Sequence, residues 1–82
     1  MNICFVMGKI VSDIEFRFII NSKDISISIF KIELSNNSII TVKGYNEKAD
    51  MCYQKIIKGD IVGIQGYLNK KCELILEEFT IY

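Results

Sequence analysis

Apolar residues recur at every second position over most of this chain, the period of strands with one buried face. Residues 2–11 form the first such stretch, and Gly8 inside it suggests a bulge or sharp bend. Ser12, Asp13, Ile14 and Glu15 interrupt it, and residues 16–20 resume as extended chain. Residues 21–24 make a turn cluster. The next stretch sets Ile25, Ile27 and Ile29 in alternation with Ser26 and Ser28, then slips phase. Phe30, Ile32 and Leu34 now alternate with Lys31 and Glu33. Period two cannot keep both sets on one face, so a β-bulge is expected near Ile29 and Phe30.

Residues 35–38 read as a short hairpin loop and residues 39–45 as the following strand. Ile40 and Val42 point one way along it; Ile39, Thr41, Lys43 and Tyr45 point the other. A helix is predicted from Asn46 to Ile57. Asn46 is a good N-cap, Glu47 and Asp50 suit the first turn, and Ala49, Cys52, Tyr53 and Ile56 share one face. Gly59 supplies a C-terminal stop. Residues 60–68 form a strand with Val62, Ile64 and Leu68 on one face. After a polar turn at residues 69–71, the last strand runs over residues 72–82. Leu74 and Leu76 are out of phase with Phe79 and Ile81, so a second bulge or bend is expected near Glu77 and Glu78.

With residues 16–20 counted as a continuation of the first strand, the order is three strands, a helix, then two strands. A five-stranded Greek-key barrel with one helix between strands 3 and 4 is the OB fold, an all-β class. The whole chain, residues 1–82, is then one domain.

Composition narrows the function. A chain of 82 residues buries a modest core, which makes self-association attractive. Ten basic residues balance ten acidic ones, which argues against binding by phosphate neutralisation alone but allows a local positive groove. Histidine is absent, and Cys4, Cys52 and Cys72 form no Cys-x-x-Cys pair. Zinc, a disulfide framework, any cofactor and an enzyme's acid–base constellation are therefore not expected. Reduced, buried thiols on apolar faces fit a cytoplasmic protein, and neither a signal peptide nor a membrane span is visible.

Several segments resemble the bacterial single-stranded-DNA-binding protein family. They are the opening Met1-Asn2 strand with Gly8 and the run Asp13-x-Glu15-x-Arg17-Phe18. They continue with Ile39 to Asn46, then Ala49 to Tyr53, and Ile56-Ile57-Lys58-Gly59-Asp60. Ile61 to Leu68 and Glu73 to Tyr82 complete the match. Ile14 stands where the family has proline, Phe18 where it has tyrosine, and Ile39 where a tryptophan is common. The chain ends at Tyr82 without the family's acidic-tipped tail, so it is similar to the short, tail-less form that includes the primosomal replication protein.

The resemblance implies non-sequence-specific single-stranded DNA binding in replication, recombination or repair. RNA is a weaker reading, since OB folds accept it too. Binding of this kind needs aromatic platforms and a groove that tracks phosphates. Tyr45 matches the family's stacking aromatic; the bland reading is a barrel-end tyrosine against the helix. Lys43 and Thr41 share its face, and Ile39 contacts either a base or a second subunit. Arg17 and Phe18 match an arginine–aromatic pair, although residues such as Phe16 and Phe18 more often serve a core or interface. Tyr67, Lys70 and Lys71 surround the last hairpin; Lys9 and Lys31 are weaker candidates. The competing reading is an OB-fold protein-interaction module with little nucleic-acid affinity, suggested by the neutral charge and missing tryptophan. In the family, N-terminal strands pair across a two-fold axis, and residues 2–7 here are a charge-free apolar run. A homodimer or homotetramer is expected, with replication proteins as further partners.

Overall fold

Alternating β-branched residues produce six strands and one helix in the computed structural model, which describes residues 2–20 and 24–82. Except for Asp24, the expected turn at residues 21–24 lies outside the described residues. The elements are β1 (Cys4–Ile10), β2 (Glu15–Ile19), β3 (Ile25–Glu33), β4 (Ile39–Tyr45), α1 (Glu47–Lys55), β5 (Ile61–Leu68) and β6 (Leu74–Ile81). The sheet order is β1-β5-β6-β4-β3-β2, and a β1–β3 pairing closes five of the strands into a barrel. All neighbours are antiparallel except β4 and β6. This mixed, closed barrel with its helix before β5 is the OB architecture expected from the element order.

β1 and β2 lie along the same side of β3. Ile10 faces Ile32 and Glu15 faces Ile29, so residues 11–14 stand opposite only Phe30 and Lys31. The excursion is stitched down by Val11 N–H to the Lys31 carbonyl (2.9 Å) and Lys31 N–H to Ser12 Oγ (2.8 Å). The irregularity expected near Ile29 and Phe30 is therefore not in β3. The β3–β4 register is unbroken from Ile27 opposite Tyr45 to Glu33 opposite Ile39. The phase slip has another cause: Ser28, Phe30 and Ile32 all point inward and are fully buried. Ser28 is the polar member of the inner row because it donates to the Ala49 carbonyl of α1 at 2.6 Å. A buried hydroxyl with its partner satisfied costs little. Ile25, Ile27 and Ile29 consequently lie on the outer face, half-buried.

The bulge expected near Glu77 and Glu78 is present. Gln65 faces Glu78 while Gly66 faces Leu76, which leaves Glu77 as the extra residue. A Cβ on Gly66 would sit 1.9 Å from the Ile75 carbonyl oxygen, so only glycine permits this approach. Gly8 makes a similar approach rather than a bulge: the β1–β5 register runs through it without a shift, and a Cβ there would lie 2.7 Å from the Glu33 carbonyl oxygen. It stands just before β1 gains β3 as a second neighbour, where the barrel closes.

The core comprises Ile10, Phe30, Ile32, Val42, Val62, Ile64, Leu74 and Leu76, capped at one end by Cys52 and Ile56 from the helix segment. α1 ends at Lys55, two residues before expected, because Ile56 turns extended (φ −108°, ψ 138°) to reach the core. Asn46 occupies the N-cap position without capping through its side chain. It takes a positive φ of 55°, and its N–H donates to the Ser26 carbonyl. Asn46 thus fixes the β4–α1 corner rather than the helix end. Of the expected helix face, Ala49, Cys52 and Ile56 are buried, while Tyr53 is 57% exposed. Tyr53 packs instead on Phe16 of β2, ring centroids 5.0 Å apart. Leu68, expected inside, is exposed because it ends β5 where the last hairpin overhangs the barrel. Cys72, expected on a buried strand face, is exposed in that hairpin turn with φ 61°, and Cys4 is half-buried; of the three thiols only Cys52 is buried. No helix among the described residues is long and apolar enough to cross a membrane.

Candidate nucleic-acid interface

Residues directly opposite one another in a sheet share a face, so the register defines the outer surface of β2, β3, β4, β6 and β5. One row runs Arg17, Ile27, Tyr45. The next runs Glu15, Ile29, Lys43, Ile75, Tyr67 across five strands. Lys31 and Thr41 make a third, Glu33 and Ile39 a fourth. Ile75 of β6 lies between the strands that carry Tyr45 and Tyr67, and Ile27 and Ile29 of β3 extend the apolar surface on the other side of Tyr45. Both tyrosines are partly exposed, at 37% and 43%.

The structure therefore brings together Tyr45, Lys43, Thr41, Ile39, Arg17 and Tyr67 from the sequence-based set, with the weaker candidate Lys31 beside Thr41. Phe18 does not join them. It is opposite Ser26, beside the Phe16–Ser28 pair, and so lies on the helix side of the sheet. Alternation along residues 16–19 requires this once Arg17 is on the outer face. Lys9 lies opposite Glu33 of β3 and Ile61 of β5, so it continues the Glu33–Ile39 row around the barrel onto β1. Lys70 and Lys71 are exposed in the β5–β6 turn next to Tyr67. The side-chain carbonyl of Asn69 shapes that turn by accepting from the N–H groups of Lys71 and Glu73, both at 2.9 Å.

Arg17, Lys31, Lys43, Lys70 and Lys71 lie on or beside this face together with Glu15, Glu33, Glu73 and Glu77, the last lining a cleft with Tyr67. Two of these cations are already engaged. Arg17 donates to Glu15 Oε1 at 2.6 Å, in a pair more than half exposed. Lys43 Nζ lies 2.9 Å from Glu73 Oε2, and those side chains are only 23% and 19% exposed. Hydrogen bonds from Asn69 and Lys43 hold the Glu73 carboxyl below the usual carboxylate range. Sequence reasoning missed both carboxylates and the isoleucine surface. The available signal was the loop at residues 35–38: counting back symmetrically from it sets Tyr45 opposite Ile27 and puts the Ile25-Ile27-Ile29 row outside.

A closed five-stranded barrel with a helix before β5 belongs to the OB class. No family model matches the chain, and no curated protein matches its sequence. Solved structures do share its fold. The SSB domain of a Synechococcus sp. protein superposes with a TM-score of 0.85 at 18% identity, covering 96% of this chain and 93% of that one. A deletion mutant of the single-stranded DNA binding protein from Thermus aquaticus gives 0.84 at 16% identity, covering all of this chain and 41% of that one. The second OB-fold domain of replication protein A from Methanococcus maripaludis gives 0.75 at 17% identity, covering 94% and 80%.

Proposed function

We propose that the protein binds single-stranded DNA without sequence preference on the outer face of β2, β3, β4 and β6, in the service of replication, recombination or repair. The observation that carries this reading is Tyr45, partly exposed in one row with Ile27 and Arg17. Its ring offers a base a flat apolar surface with a guanidinium in the same row. Tyr67 offers a second at the far side of Ile75, where Lys70 and Lys71 can meet the backbone. The fold shared with single-stranded-DNA-binding domains supports the same reading.

Anisotropy of labelled oligo-dT at low salt tests it. Binding is expected, with Tyr45→Ala weakening it by ~1–3 kcal/mol, roughly 5- to 150-fold. Absence of binding, or an unaffected Tyr45→Ala protein, would refute it. Equal or tighter binding of oligo-rU would reassign the surface to RNA. The protein-interaction reading has one observation in its favour: Arg17 and Lys43 already have carboxylate partners.

The assembly we propose is a homodimer through β1. Over residues 4–7 this strand pairs, among the described residues, only with β5, leaving its other edge open. Ile3, Phe5 and Met7 are exposed beside that edge. An open apolar edge invites pairing with another strand. Sedimentation should show a species of at least twice the chain mass, reduced to monomer by Met7→Lys.

A further inference from the structure

We propose that Glu73 is a built-in competitor for nucleic-acid phosphate, so that a strand gains Lys43 only by displacing this carboxylate. The proposal rests on the reading of the outer sheet face as a single-strand-binding surface.

The two engaged cations of that face differ. Glu15 and Arg17 are neighbours on one exposed strand, and such a pair contributes little and is screened by salt. Arg17 can exchange Glu15 for a phosphate at small cost. Lys43 and Glu73 come from different elements, β4 and the β5–β6 turn, and both are mostly shielded. Glu73 is also fixed from behind: Asn69 Nδ2 donates to its Oε1 at 2.9 Å, while Asn69 Oδ1 accepts from the Glu73 N–H. The carboxylate is thus held in place before any ligand arrives. A phosphate approaching Lys43 must replace one anion by another, and the displaced Glu73 then stands near it as a like charge.

The arrangement also has a mechanical side. Lys70 and Lys71 sit in the turn that the Asn69 side chain shapes, and Glu73 ties that turn to β4. Releasing Glu73 removes the tie to β4, while Asn69 keeps the turn that carries both lysines in shape.

Glu73→Gln removes the charge and keeps an acceptor for Asn69. Oligo-dT binding should tighten about fivefold, the upper end for one surface charge pair. The slope of log affinity against log salt should steepen by about 0.7, one additional phosphate contact on a single strand. Glu78→Gln, the same charge change opposite Gln65 on the other side of the bulge, should leave affinity within about twofold. Adding Lys43→Ala should cost little in the wild-type background and abolish the gain in Glu73→Gln. Equal tightening by Glu73→Gln and Glu78→Gln would overturn the proposal, because net charge alone would then explain it. So would an unchanged Glu73→Gln protein whose binding still depends on Tyr45, and that result leaves the function standing. Absence of binding by the wild type and by Glu73→Gln would end both.

Discussion

The assignment of the outer face depends on which side of β3 points inward, and Ile27 and Ser28 test it directly. Ser28 is fully buried, opposite Phe16 and Gly44, with its hydroxyl 2.6 Å from the Ala49 carbonyl. Ser28→Val removes that hydrogen bond, about 1 kcal/mol, and forces two methyl groups against the helix backbone, a further ~1–3 kcal/mol. Ile27 is half-buried on an open face. Ile27→Ser forfeits about half of the ~1.5–3 kcal/mol that full burial of isoleucine provides and leaves no closed cavity, so about 1 kcal/mol is lost. The assay is urea unfolding followed by far-ultraviolet circular dichroism. With a slope of about 1 kcal/mol per molar for a chain this small, the midpoint should fall by about 1 M for Ile27→Ser and ~2–4 M for Ser28→Val. The reverse ranking would mean that Ile27 lies in the core. Tyr45, which shares its row, would then face inward and could not serve as a base platform.

Three further outcomes are expected. Gly66→Ala should destabilise by more than ~2 kcal/mol, because its Cβ meets the Ile75 backbone; Gly63→Ala meets only the ring tips of Phe5 and Tyr82 and should cost under about 1 kcal/mol. Tyr53→Ala should lower thermal stability by ~0.5–1.5 kcal/mol through loss of the Phe16 contact, with oligo-dT anisotropy unchanged, since that pair lies on the helix side. Burial pushes the Cys52 thiol up to about 12, from 9.0. The unfolded chain releases this proton first, so the folded state binds more protons between those values. The stability it contributes is complete below pH 9 and is lost above it, at up to about 1.4 kcal/mol per pH unit. Urea midpoints at pH 8 and 10 should differ less in Cys52→Ala than in the wild type. A thiol reagent at neutral pH should modify Cys72 rapidly and Cys52 only on unfolding.

Much of the fold was legible because its determinants are local. Period-two alternation marked five of the strands, while β2 was counted with β1; the Ala49, Cys52 and Ile56 spacing marked the helix, and the phase change in β6 marked the bulge at Glu77. The phase change in β3 was misread because one buried polar residue looks the same in sequence as an outward-facing one. Only the Ala49 carbonyl, 21 positions away, distinguishes them. Phe18 was misplaced for a related reason: an aromatic next to an arginine does not reveal which side of the sheet each takes.

From the residues alone came the element order, the OB class and the β4 face of Ile39, Thr41, Lys43 and Tyr45, each from alternation and turn chemistry within a few positions; the choice of Tyr45 as a stacking platform came from the family resemblance. Tertiary structure alone decided that Arg17 shares a row with Tyr45, that Tyr67 lies across Ile75 from Lys43, and that Glu73 neutralises Lys43. Those relations join strands far apart in the chain. They exist only when the barrel closes, and the pairing of Lys43 with Glu73 is set at that point.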